Sequence, residues 1–325
     1  MKKIIYNVKP FNDFPLSGCF KHQVLAALKG LNIHPLPYLV NNYYIYAIKN
    51  HYLISKQIQF ESYSTNFKKM GIKMLHKKVI HSEFIEEIKK QLSKAKLIIV
   101  PCDCYGLSYR KDMFNKLHSI HYLLIYGYDD NIKSFYTIDH DYLNSFQYKK
   151  KKVKYNDIEN GFEAYKNNFY KKKDTLLYIL YKTLNQKNSS TTFTDNIIKY
   201  KEIMKNGQLA LKHYIDIFEH LIKNETLFLK KIEKTYQNFI LIRQHKERMK
   251  YQLQYCFKNK RITNLFNKII YEYTFIITIL YKCYLTKKLN QNSLIKCLDK
   301  LNVIYSLEEK TQITIDETIE SNQLF

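Results

Sequence analysis

Proline and glycine, the residues that most often interrupt or redirect a helix, are concentrated in one half of this 325-residue chain. All five prolines (Pro10, Pro15, Pro35, Pro37, Pro101) lie in the first third, and six of the seven glycines lie at or before Gly161, leaving Gly207 beyond it. A chain so divided is expected to fold as a turn-rich first half and a second half of long helices. The polar run Asn185-Gln-Lys-Asn-Ser-Ser-Thr-Thr marks the join and reads as a linker. The expected organisation is a domain over 1–183, a linker over 184–195 and a helical domain over 196–325, a length that suits two ordinary domains.

Hydropathy spacing supports that division. In the second half Leu211, Ile215, Phe218 and Ile222 recur every three or four residues, and so do Leu229, Ile232, Tyr236, Phe239 and Ile240. The same spacing returns at Leu265, Ile269, Tyr273, Ile276 and Leu280, and again at Leu294, Leu298, Leu301 and Tyr305. These are amphipathic helices, three to five of them in a bundle. His213, His220 and His245 stand among charged neighbours and read as surface residues. The first half mixes types. Phe20 to Leu31 and Ser82 to Lys94 read as helices, the second with Ser82 as N-cap. Leu97 to Val100 reads as a short buried strand, and His121–Tyr128 with Ser134–Ile138 as a hairpin turning at Asp129-Asp130-Asn131. The fold class is α+β, followed by an all-α bundle.

Hydrophobic residues make up 46% of the chain and aromatics 15%, which excludes a disordered chain despite a net charge of +24. That charge favours acidic partners, although lysines drift upward in AT-rich genomes for no functional reason. They are spread along the whole chain, which argues against a nucleic-acid groove. The runs Lys149–Lys152 and Lys171–Lys173 read as solvated surface. Asn7, Lys9, Asn12 and Asp13 interrupt any signal-peptide core, and the longest apolar stretch, Tyr273–Leu285, is too short to span a bilayer. The six cysteines show no paired spacing, so a cytoplasmic protein with free thiols is expected.

Three residues could carry chemistry. Cys19 stands at the start of the Phe20–Leu31 helix, where unsatisfied amides and the helix dipole stabilise a negative charge. His121 opens an apolar strand, and Asp139 closes the next one, where it could fix the imidazole tautomer. Cysteine as nucleophile, histidine as base and aspartate as orienter make a generalised triad. The same pattern is met by a buried cysteine acting as a small hydrophobe and a core histidine bonded to a carbonyl; spacing does not choose. Cys102 and Cys104, with His118 and His121 downstream, also allow a zinc reading, but C-x-C is shorter than the usual metal spacing.

The block Leu97-Ile-Ile-Val-Pro-Cys-Asp103-Cys-Tyr-Gly-Leu-Ser-Tyr109, then Leu117-His118-Ser-Ile-His121-Tyr-Leu-Leu-Ile-Tyr-Gly127-Tyr-Asp-Asp, then Phe135-Tyr-Thr-Ile-Asp139, resembles the butirosin-biosynthesis protein H (BtrH) family. The His121-to-Gly127 spacing is also similar to that of bacteriocin-processing cysteine peptidases. The resemblance implies a papain-like fold over 1–183 and a cysteine acyltransferase of antibiotic or other natural-product biosynthesis. In that role Cys19 would take an acyl, aminoacyl or peptidyl group from the phosphopantetheine thioester of an acidic acyl or peptidyl carrier protein. His121 would activate Cys19 and then the amine of a small-molecule acceptor, and Asp139 would orient His121. No cofactor beyond the carrier's own arm is implied, and no metal. The sequence departs from the family at Gly18, where histidine is common, and at Asp139-His140, where Asp-Pro is common. It also lacks the glutamine that serves papain-like peptidases as oxyanion donor, leaving Asn12 as the candidate. His118, Asp103 and Tyr109 are candidates for acceptor binding. A cysteine peptidase or amidase on the same scaffold, and a degenerate binding domain, are the competing readings. The helical domain is open to three uses: docking the carrier, capping the site or forming a homodimer.

Overall fold

A computed structural model describes residues 2–4, 8–13, 18–142, 145, 147–169, 176–183 and 192–323. In chain order these form β1 (Lys2–Ile4), α1 (Cys19–Gly30), α2 (Leu36–Leu39), β2 (Asn42–Lys49), β3 (Tyr52–Gln59), α3 (Tyr63–Lys69) and β4 (Ile72–Lys78). There follow α4 (Phe84–Ser93), β5 (Leu97–Asp103), β6 (Ile120–Asp129), β7 (Ser134–His140), β8 (Tyr148–Lys154), α5 (Tyr155–Asn168) and β9 (Leu176–Lys182). The remainder is helical: α6 (Thr192–Lys199), α7 (Lys201–Ile222), α8 (Glu225–Phe257), α9 (Lys260–Thr286) and α10 (Gln291–Gln323). Mixed α and β elements with an antiparallel sheet, then a helical region, agree with the expected class. None of the described helices is long and apolar enough to cross a membrane.

The chain divides into two compact units. The first comprises Met1–Tyr38 with Glu61–Ser189, and the second Leu39–Phe60 with Ser190–Phe325. This departs from the linear 1–183 and 196–325 division by one segment, the β2–β3 hairpin, which packs with the helices. Much of the expected linker, 184–191, lies outside the described residues, and 192–195 begin α6.

In the first unit the sheet runs β4-β9-β5-β6-β7-β8, with β1 pairing on β6. Every pairing is antiparallel. Strand β5 is buried along its whole length, so it reads as an unbroken apolar run rather than an alternating one. Helix α4 supplies Phe84, Ile88 and Leu92, four residues apart and all fully buried. Ser82 does not cap it. His81–Glu83 form a single 3₁₀ turn, and α4 starts at Phe84 with no side-chain cap. Phe84 stacks on Phe162 of α5 at 4.3 Å, and that burial fixes where the helix begins.

In the second unit α8 packs on α9, α9 on α10 and α10 on α7, while the hairpin packs on α7 and α8. Asn50 and His51 both have positive φ, the signature of a two-residue type I′ hairpin turn. Because α8 is covered by the hairpin as well as by α9, its polar residues are buried. His245, expected at the surface, is 8% exposed and stacks on Tyr44 at 3.9 Å. Lys246 pairs with Glu308 at 2.6 Å; Glu308 also accepts from the Tyr46 hydroxyl, which accepts in turn from Tyr273.

Candidate active site

The site is built where one helix meets the ends of two strands. Cys19 is the first residue of α1, and Gly18 before it takes φ 92°, a conformation only glycine adopts without strain. Residues Val24 to Leu28 are fully buried against the sheet. One turn after Cys19, the buried Gln23 donates to the Tyr122 and Ile138 carbonyls at 2.9 and 3.2 Å and accepts from the Leu124 amide at 3.2 Å. Its amide therefore ties α1 to β6 and β7 at the point where those strands stop pairing. Their ladder runs from Asp129↔Ser134 to Leu124↔Ile138. His121 and Asp139 lie past its end, on segments still held by β5 and β8 through Cys102↔His121 and Asp139↔Lys149.

There the His121 Nε2 and Asp139 Oδ1 lie 2.6 Å apart, both side chains buried. Asp139 Oδ1 also accepts from the His140 backbone N–H at 2.7 Å, Oδ2 accepts from the Tyr109 hydroxyl at 2.6 Å, and Lys151 Nζ stands 3.8 Å from Oδ2. Burial alone would raise the Asp139 pKa. The His121 charge and hydrogen bond, then Lys151, reverse this and hold it well below the usual carboxylate range. Burial alone would lower that of His121. The Asp139 charge and hydrogen bond, followed by a hydrogen bond with Cys19, raise it to about 9. With Nε2 turned to Asp139, Nδ1 is the nitrogen left for the Cys19 thiol. His140, whose ring lies 4.8 Å from His121, moves the opposite way, to about 4, through burial and then the His121 charge. Two adjacent histidines are thus held in different protonation states, the arrangement by which a protein assigns acid and base roles.

The structure brings Cys19, His121 and Asp139 together and redistributes the other expected residues. Asn12 Nδ2 donates to the Tyr148 carbonyl and its Oδ1 accepts from the Tyr148 amide, both at 2.9 Å. Its amide clips the segment before α1 to β8, a different employment from the oxyanion donor expected of it. The Tyr109 hydroxyl donates to Asp139, and burial followed by the Asp139 charge keeps it protonated, so its hydrogen is spent on the carboxylate. Asp103 is fully buried, accepting from Tyr105 N, Ser119 N and Asn168 Nδ2 and lying 2.6 Å from His118 Nδ1. His118 is the exposed member of that pair and stacks on Tyr105 at 4.2 Å. Gln23 has no place in the sequence reading, where His140 enters as a departure from Asp-Pro and Lys151 as part of a solvated run. A glutamine on an apolar helix face was the available signal for the first. Lys151, from a run read as solvated surface, turns inward and donates to the His140 carbonyl at 2.8 Å.

Among the described residues, His121, Asp139 and His140 place potential metal-ligand atoms within 4.8 Å of one another. As arranged, His121 Nε2 and Asp139 Oδ1 are spent on each other, and His140 Nδ1 lies 2.6 Å from the Tyr142 carbonyl. Cys102 and Cys104 do not belong to this group. Both are buried, and burial pushes their thiols up, that of Cys104 to about 12. Cys19, by contrast, is only half-buried.

Residues 36–140 match the family model described as butirosin biosynthesis protein H, N-terminal. A transferase of Niallia circulans is 29% identical over 141 residues, covering 41% of this chain and 47% of that protein. Its name reads ribostamycin:4-(gamma-L-glutamylamino)-(S)-2-hydroxybutanoyl-[BtrI acyl-carrier protein] 4-(gamma-L-glutamylamino)-(S)-2-hydroxybutanoate transferase. The aligned region thus spans about half of the relative. The segment that matches the BtrH N-terminal family model holds His121 and Asp139, and Cys19 lies before it.

Proposed function

We propose that the chain is a cysteine acyltransferase of antibiotic or related natural-product biosynthesis, with a papain-like first unit, moving an acyl group from a carrier-protein thioester to an amine. The observation that carries this is the buried His121–Asp139 pair set against Cys19 at the N-terminus of α1. The relative's own reaction, transfer of an acyl group from an acyl-carrier protein, supports the donor class.

The protonated His121 stabilises a Cys19 thiolate. Attack of the sulfur on the thioester carbonyl forms the C–S bond and a tetrahedral oxyanion, which the backbone amides at the N-terminus of α1 would meet. Collapse breaks the carbonyl bond to the carrier's thiolate, which leaves with the His121 proton. The neutral imidazole then takes a proton from the incoming amine as its nitrogen attacks the acyl-enzyme, and Cys19 departs as thiolate. Asp139 keeps the ring oriented and its positive charge matched throughout. The residues need no metal or cofactor for these steps beyond the arm that carries the donor.

Intact-mass spectrometry after incubation with an acylated carrier tests the reading. Wild-type protein should gain the acyl mass, Cys19→Ala should gain none, and His121→Gln should gain it at least 10²-fold more slowly. Turnover with an unmodified Cys19 would sink the assignment, and release of free acid in the presence of amine would move it to a hydrolase.

A further inference from the structure

We infer that the groove between α3 and the edge strand β4 seats the phosphopantetheine arm that delivers the acyl group to Cys19; this rests on the carrier-thioester reading above. β4 ends the sheet among the described residues, so one side of its backbone is free to pair with amides laid along it. α3 lies over it, and the groove between them, about 1060 Å³, has an apolar floor that includes Phe67, Ile72 and Met74. Lys68 and Lys73 line it too, and neither has an ion-pair partner among the described residues.

The groove leads toward the nucleophile. His76, at its other end, sits directly across the β4–β9 ladder from Tyr178, with the rings 4.9 Å apart. Tyr178 lies 5.0 Å from Phe20 and 6.1 Å from Tyr122, and those two are 5.1 Å from each other. Phe20 follows Cys19 in the chain and Tyr122 follows His121. Phe20, Tyr122 and Tyr178 are half-buried and His76 is exposed, so a continuous aromatic ledge joins the groove to the nucleophile.

An occupant of such a track must be narrow, linear, uncharged along most of its length, able to pair with strand amides, and anionic at the end away from Cys19. The stretch from Ile72 to His76 alone spans about 13 Å at 3.3 Å per residue, which calls for a long arm. Phosphopantetheine has those properties in that order: a terminal thiol, two amides on a flexible chain, and a phosphate that would fall beside Lys68 and Lys73. The net charge of +24 suits the acidic protein behind the phosphate.

The test is a methyl NMR titration of the full chain carrying Cys19→Ala, with S-methyl phosphopantetheine and S-methyl pantetheine as unreactive probes. The Met74 and Ile72 methyl signals should shift saturably with both. Lys68→Glu with Lys73→Glu, both lysines lying at the surface of the fold, should weaken the phosphorylated probe at least tenfold and the dephosphorylated one less than twofold. Equal effects on the two probes, shifts confined to other methyls, or no shift at millimolar probe would overturn the assignment. So would Met74 shifts that follow protein concentration without probe, because a second copy would then fill the groove. Binding here does not require acyl transfer. If the probe binds but wild-type Cys19 is never acylated, the catalytic reading fails and the groove stands. If a short N-acetylcysteamine thioester acylates Cys19 while the probe leaves Met74 untouched, the groove fails and the catalytic reading stands.

Discussion

Replacing Asp139 with asparagine should convert His121 from a charged ring into a neutral one at physiological pH. Burial of the ring disfavours its charge, and the Asp139 carboxylate overrides that to lift the pKa from its ordinary 6.5 to about 9. The rise corresponds to about 3 kcal/mol of preference for imidazolium, at about 1.4 kcal/mol per pH unit. Asparagine keeps the shape and removes the charge, so burial is opposed only by the weaker Cys19 contact and the midpoint should fall toward or below 6.5. Labelling the histidine ring carbons and following their NMR shifts with pH reads this directly, with His121→Gln identifying the resonance among the 11 histidines. The sign for stability follows. A folded-state pKa raised above the unfolded value stabilises the protein fully below about pH 6.5, and that stabilisation is lost as pH climbs through about 9. Asp139 is depressed, so its contribution is present above its ordinary 3.8 and fades as pH falls below that. Urea unfolding should therefore show the widest gap between wild type and Asp139→Asn from about pH 4 to 6.5, closing toward pH 10. A variant midpoint within one unit of the wild-type value, or a wild-type His121 already neutral at pH 7, would refute the reasoning.

Other substitutions probe the supports of the site and the second unit. Gln23→Leu strands the Tyr122 and Ile138 carbonyls and the Leu124 amide, and should cost about 3 kcal/mol in urea unfolding; a loss under about 1 kcal/mol would show that Gln23 does not tie helix to strands. Tyr109→Phe removes one hydroxyl from a buried carboxylate and should cost about 2 kcal/mol by the same measurement, with the Asp139 carboxyl titrating higher than in wild type. Lys246→Met leaves Glu308 charged and buried, and should destabilise by about 3–5 kcal/mol. Lys246→Met with Glu308→Leu should recover most of that, and a double variant as unstable as the single one would overturn the account of this pair.

What could be read from the sequence was local. Cys19 at a helix start follows from one run of apolar spacing, and Asp139 near His121 follows from a short hairpin with an obvious turn. Placement that depends on distant segments was not legible. Among the described residues, strands β2 and β3 pair with each other, and nothing in their pattern says that they pack with helices that begin well over a hundred residues later. That packing is what buries His245, whose charged neighbours point the other way. Asn12 and Tyr109 were picked by residue type, and the structure gives their polar atoms to a strand amide and a carboxylate. Gln23 interrupts an apolar helix face, and its amide side chain both donates and accepts where two strands part, which no apolar residue could do.

The basic excess, uniform in sequence, separates into classes in the fold. Lys151 and Lys246 are drawn inward against Asp139 and Glu308, where each balances a buried carboxylate. Lys29, Lys69 and Lys77 answer Asp13, Glu61 and Glu87 near the surface, pairs of small energetic worth. Lys68 and Lys73 stand beside an apolar groove with no ion-pair partner among the described residues. Net charge counts all of these alike, but only unmatched charges beside a concave surface can be discharged by a ligand. An acidic partner is therefore favoured by lysines placed beside such a groove, as Lys68 and Lys73 are, more than by the total.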